Sequence, residues 1–320
     1  MTEDWSETLF RELGSTLQPL VDPSHRIFWP FLLSSLALAV VAGRLRPRNP
    51  EAPSAFEALF ARRILGHRSA IVDYQLAILQ SAVRVLGFLP WSLSAVGVTG
   101  GVVSAMDRWF GMPDAPEFSP LTTTILYSVV LFLCWDLSRY ILHRLLHELP
   151  WLWRFHQVHH SAEVLTPITF YRAHPVESLL YELRSVLVTG LVTGATFWLF
   201  RTRIEPLQIL GVGAFGFLFN VLGGNLRHSH VWLSWGRRLE HLFISPAQHQ
   251  LHHSLDPEHH HRNLGAWLAI WDWMGGTLLT AGSQRALDFG LDAEERNHAP
   301  DRLLDTLTGP FRASTPSPKL

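Results

Sequence analysis

The 320-residue chain is 48% hydrophobic and 17% charged, with a formal net charge of -1 when its 18 histidines are neutral. That balance leaves no single-sign field to recruit nucleic acid, and it makes a membrane location worth testing. The lone cysteine, Cys134, excludes an internal disulfide, a Cys-x-x-Cys redox pair and a cysteine-bound iron–sulfur cluster, so electrons for any redox chemistry must come from another protein.

Residues 1–25 are polar and lack the basic-then-apolar order of a signal peptide, which predicts a short extramembrane arm. The apolar run 27–43 ends at Arg44, Arg46 and Arg48, so it is expected to cross a bilayer with that end in the cytoplasm. Residues 51–75 mix Arg62, Arg63, His67 and Arg68 with Phe56, Leu59, Phe60 and Ile64, the pattern of a helix lying at the interface. The run 76–103, interrupted by Arg84 and Pro90, is the weakest span, and 121–142 is a clear one. The runs 186–200 and 207–222, joined only by RTRIEP, are expected to form a helical hairpin.

Counting crossings from Arg44 places 143–182 and 225–320 together on the cytoplasmic side. Arg201 and Arg203 break the positive-inside rule, which a shallow hairpin would reconcile. The expected fold is therefore all-α: a multi-span membrane helix bundle of four to five spans, including the hairpin, under a cytoplasmic histidine-rich helical cap. Its expected divisions are an arm (1–25), spans with an interfacial helix (26–142), a histidine-rich cytoplasmic segment (143–182), the membrane hairpin (183–224), and the cap with its tail (225–320).

Three histidine clusters stand out: His143 and His147 in HRLLH, His156, His159 and His160 in HQVHH, and His249, His252 and His253 in HQLHH. On a helix, positions i, i+3 and i+4 share a face, so each cluster turns its imidazoles toward one point, as chelation requires. Imidazole suits iron, zinc, copper and nickel alike, so ligand type leaves the metal open. Eight histidines without cysteine exceed the three or four ligands that one zinc takes and point to two metals sharing a site. Two irons beside a membrane would in turn point to O₂ chemistry on a lipid. His259, His260 and His261 share no face, and with His25, His67, His241 and His298 they are expected at the surface or an interface.

The chain resembles the fatty acid hydroxylase/sterol desaturase superfamily of membrane non-haem di-iron enzymes. The resemblance runs through DLSRYILHRLLH, LWRFHQVHHS, YRAHPVE, NLRHSHV, SPAQHQLHHS and NLGAWLAIWDWMGGT, in the family's order. It implies that His143, His147, His156, His159, His160, His249, His252 and His253 are metal ligands, joined by His228 and by His174 as a ligand or a support. It also implies two iron ions, which zinc can replace in recombinant material, O₂ as co-substrate, a lipid substrate and an external electron donor. The implied reaction is hydroxylation or desaturation of an unactivated C–H bond in a fatty acyl chain, sterol or related lipid. His230, where many relatives carry Asn, and Met274-Gly275, in place of a large apolar residue, depart from the family pattern and bear on subfamily and substrate.

Asp136 shares the helical stripe of His143 and His147 and is expected to orient a ligand imidazole, with Asn225, Asn263 and Asp272 as further supports or turn formers. The aromatic residues around 151–155 and 267–273 are expected either to wall the substrate or to anchor the chain at the interface. Two rival readings are a membrane zinc hydrolase and a metal transporter or sensor. The first lacks a His-Glu-x-x-His motif, since Glu148 follows His147 without that spacing. The second would place its ligands within the spans.

Overall fold

The computed structural model describes residues 20–45, 54–85, 94–114, 116, 118–201, 204–210, 212–292 and 302–312. Most of the expected arm, Arg46, Arg48, Pro90, Arg203 and His298 lie outside the described residues. The chain is mostly helical: α1 (Trp29–Leu45), α2 (Ala55–Phe60), α3 (Arg62–Leu65), α4 (Arg68–Val85), α5 (Ala95–Phe110), α6 (Pro120–Glu148), α7 (Pro150–His160), α8 (Pro175–Phe200), α9 (Ala214–Val221), α10 (Pro246–His252), α11 (Ile270–Gly275) and α12 (Leu303–Arg312). A two-residue antiparallel pair, Gln208–Ile209 with Val212–Gly213, precedes α9.

Among the described residues, α6 and α8 are long and apolar enough to cross a membrane. Only 22% and 11% of their most apolar windows are buried, the reverse of a soluble protein's core helix, and their flanks expose residues such as Leu121, Ile125, Val129, Leu187 and Leu191. At about 1.5 Å per residue, the 29 residues of α6 reach beyond an apolar layer of about 30 Å and carry His143 and His147 past its edge.

The expected hairpin differs in its second arm. The run 207–222 forms the β pair and the eight-residue α9, too short to span. Gly211, Gly213 and Gly216 weaken helix propensity just where a longer helix would need it. The weak run 76–103 falls across two helices, α4 and α5.

Helix α5 packs most closely on α8. A Cβ added at Gly190 would lie 2.5 Å from Val98 Cβ, and one at Gly194 2.7 Å from Val102 Cβ, so this small-x-x-x-small stripe lets two backbones approach as larger residues would not. Extended Leu149 before Pro150 ends α6 and starts α7 at an angle, which folds HQVHH back over HRLLH. At α10, Ser245 caps Gln248 N and Gln248 caps Ser245 N in turn. Ala247 and Leu251 then face an apolar cluster with Trp232 and Ala281, which leaves the histidines on the helix's other side. Val158 does the same for α7, packing against Val72 and Leu76 of α4.

Candidate metal centre

The histidines of α6, α7 and α10 meet His228, which follows a short 3₁₀ turn, in two adjoining buried groups. His143, His147, His156, His160 and His252 form one group, and His159, His228, His249 and His253 the other. Within each, the facing ring nitrogens all lie within 4.8 Å of one another. His160 stacks on His253 across the seam, with ring centroids 4.5 Å apart.

Hydrogen bonds at the outer nitrogens set the tautomers. The Nδ1–H groups of His143, His159 and His252 donate to the carbonyls of Leu264 (2.7 Å), Arg172 (2.9 Å) and Arg262 (2.8 Å), and that of His156 to Glu177 Oε1 (2.8 Å). Each of these rings therefore turns an Nε2 lone pair inward, the arrangement of metal-bound imidazole. His143 and His156 point those lone pairs at each other across 3.1 Å, which repels unless a cation sits between them. The buried Nε2 atoms of His147, His160 and His252 have no hydrogen-bond partner in the protein. Burial, the largest cause in each case, holds His160, His228, His249, His252 and His253 well below the ordinary histidine range and lowers His159 to about 4. These six rings are thus neutral at physiological pH, as ligands must be. The donor set fits metal ions, one for each group.

The surrounding supports are more extensive than sequence alone indicated. Glu177, in the first turn of α8, is buried against His156 and was not anticipated; its signal was a carboxylate three residues after His174 in HPVE. Arg172, which supplies the carbonyl for His159, is itself locked by buried Asp73 (2.7 Å), Ser69 O and Ser161. Asp272 accepts from Leu264 N, Gly265 N and Thr277 Oγ1, fixing the carbonyl that holds His143. Asp136 touches no imidazole; it accepts from Trp267 N, Leu268 N and Trp271 Nε1 and anchors that same loop. Asn225 also stands apart from the rings, its Nδ2 donating to Arg26 O. Asn263, at φ 55, is the turn former, tying Gln248 O and Leu279 N together.

Of the ten expected ligands, His174 lies outside both groups. Its Nδ1 accepts from Val176 N as the cap of α8, and its Nε2–H donates to Leu307 O, so both nitrogens serve the backbone. His230 accepts from Leu165 N. Gly275 has a local reason, since any Cβ there would collide with Tyr140 Oη. The surface expectation fails for His259, which is 1% exposed. A cleft with about 570 Å³ of empty space, its open mouth included, reaches the first group past Trp153, His260, His261 and Asp292. Trp153 is thus a wall, whereas Trp267 packs edge-on to Phe132 and tilted on Phe219 in an aromatic cluster, and Trp151 and Trp273 are exposed.

Two long, mostly exposed apolar helices beside a cage of nine buried histidines have the make-up of a membrane protein built to hold metal ions. The fatty acid hydroxylase family model matches residues 128–277, which contain every one of the nine. The chain is 32% identical to alkylglycerol monooxygenase of Danio rerio over 46% of its length and 29% of that protein's. It is 29% identical to ornithine lipid hydroxylase OlsE of Rhizobium tropici over 55% and 48%, and 31% identical to cholesterol 25-hydroxylase of Rattus norvegicus over 55% and 56%. Together these matches support membership of the fatty acid hydroxylase/sterol desaturase superfamily. The chain spans less than two thirds of the length of each of these relatives. No solved structure matches it significantly.

Proposed function

We propose that the chain is a membrane oxidoreductase in which nine histidines hold two iron ions, which supply O₂ activation for oxidation of an unactivated C–H bond in a lipid. The observation that carries this is the pair of adjoining histidine groups, in the first of which the Nε2 atoms of His147, His160 and His252 have no hydrogen-bond partner and those of His143 and His156 face each other. His143, His147, His156, His160 and His252 would hold one ion, and His159, His228, His249 and His253 the other. The relatives' names are those of hydroxylases and a monooxygenase, which favours oxygen insertion over desaturation.

The chain's own residues bind, orient and exclude water. Glu177 and the carbonyls of Leu264, Arg172 and Arg262 hold the rings of His156, His143, His159 and His252 by their Nδ1–H groups, so those inward nitrogens keep their aim. The exposed apolar faces of α6 and α8 admit a lipid from the bilayer, and burial of the cage keeps solvent from the reacting carbon. Electrons come from an external donor protein, and the histidine cap lies on the cytoplasmic side where such a donor is reached. A zinc hydrolase reading is weaker, because Glu177 is committed to a ligand's Nδ1 and is not placed to act as a general base.

Two measurements test this. Elemental analysis of active protein should find about two metals per chain, and lipid mass spectrometry of cells with and without the gene should find a product heavier by one oxygen atom. One metal or none in active protein, or a hydrolysed product, would reject the proposal.

A further inference from the structure

Just below the cage, four arginines gather without a carboxylate. Arg26 and Arg227 each stand 5.5 Å from the Phe219 ring, and Arg26 lies 4.1 Å over Phe170. Arg139 of α6 and Arg184 of α8 share the Trp135 ring, at 5.5 and 4.5 Å, and Arg139 also lies 4.7 Å over Tyr181. Among the described residues, no carboxylate comes within ion-pair distance of any of the four. The nearest buried acids are spent: Asp136 and Asp272 each accept three hydrogen bonds, and Glu177 holds His156.

Guanidinium groups that are buried, as Arg227 is, or half-buried, as the other three are, are costly without counter-ions, and in an apolar helix pair they mark a function. The buried Nε atoms of Arg26, Arg184 and Arg227 have no hydrogen-bond partner. Burial first, with Arg139 adding to it, lowers Arg26 to about 10. Arg26, Arg139 and Arg184 remain partly exposed, so an anion can reach them from outside. Their depth is also informative. Arg139 lies about 30 Å along α6 from Pro120, where the apolar layer gives way to headgroups. It precedes His143 by one turn, and Arg227 Nη2 is 3.0 Å from His249 Nδ1.

We propose that Arg26, Arg139, Arg184 and Arg227 bind the anionic head, a carboxylate or a phosphate, of the lipid whose chain is presented to the histidine cage. This rests on the lipid-oxidation reading and narrows its substrate class to acidic amphiphiles. Guanidinium groups are suited to both anions because their planar N–H donors match two oxygens at once. Arg227 also donates to Gly265 O and His249 Nδ1, so it links the headgroup site to the cage, while Arg184, whose Nη1 donates to Trp135 O and Ser138 Oγ, keeps its Nε without a partner beside Arg139.

Native mass spectrometry of the full chain in neutral detergent tests the proposal, with palmitate, hexadecyl phosphate, uncharged hexadecanol or inorganic phosphate as the probe. The two anionic amphiphiles should bind one per chain, and hexadecanol and inorganic phosphate about tenfold or more weakly. Arg139→Gln and Arg184→Gln should each weaken palmitate binding by about tenfold or more, Arg139→Lys by less, and Arg302→Gln not at all. Hexadecanol binding as well as palmitate, inorganic phosphate matching hexadecyl phosphate, or parental affinity in both Gln variants would overturn it. Metals per chain, counted in the same spectra, keep the two readings apart: a chain without its metals that still binds palmitate through these arginines sinks the cage reading alone.

Discussion

Glu177 offers the sharpest probe of how the cage is held. It is 3% exposed and accepts the Nδ1–H of His156 at 2.8 Å, so Glu177→Ala removes an acceptor that water cannot easily replace. Stranding that buried N–H costs about 1–3 kcal/mol, and releasing the ring from its orientation should lower metal affinity by about 10–100-fold. Glu177→Gln keeps an acceptor oxygen in the same place and loses the charge assistance, roughly half the bond, so its loss should stay within about tenfold. The assay is metal retained per chain during titration with a competing chelator, read by elemental analysis beside a thermal melt of the same sample. An Ala variant that retains its metals as tightly as the parent would refute the argument that Glu177 positions His156.

Three further outcomes are expected. His252→Ala should lose one of the two metals and all detectable lipid product. By contrast, His174→Ala should lose only its helix cap, about 0.5–2 kcal/mol, and keep both metals; a metal missing from the His174 variant would contradict the geometry. Gly190→Ala drives a methyl into Val98 and should cost about 1–3 kcal/mol in detergent unfolding. Adding Val98→Gly, which removes the Cβ that the methyl meets, should restore part of that, and additive losses would show that the two helices do not meet there. Finally, chelator-treated protein should lose stability as pH falls from about 6.5 toward 4. In that window the unfolded chain takes up protons that folded His159, lowered to about 4, refuses, a difference of about 3 kcal/mol from this one group. His160, His228, His249, His252 and His253 act in the same direction, and melting temperatures that stay level across the window would exclude the neutral-cage account.

Much of the site was legible in the sequence because it is written in local spacing. HRLLH, HQVHH and HQLHH place their imidazoles on single helical faces whatever the rest of the chain does, and Ser245-Pro246 with Gln248 announces the start of α10. Helix α6 was equally plain, since a run as long as 121–142 with Asp136 and Arg139 as its only charges has few other solutions in a bilayer. The apolar run 207–222 was misjudged because hydropathy counts apolar residues and overlooks glycine's reluctance to extend a helix.

Spacing could not divide the histidines between two groups. His159 and His160 are neighbours in sequence yet point to different groups, as do His252 and His253, because adjacent positions on a helix are about 100° apart and different partners lie on either side. His174 carries a ligand's chemistry, but the entry of α8 takes its Nδ1 as a cap. Glu177, the Asp73–Arg172 pair and the four arginines come from segments far apart in the chain, brought together where α4, α6 and α8 meet the loops around 225 and 265. The sequence by itself determined which residues could chelate. Tertiary packing decided which of them share an ion's position and what holds them there, because burial and hydrogen-bond partners are properties of neighbours that periodicity does not encode.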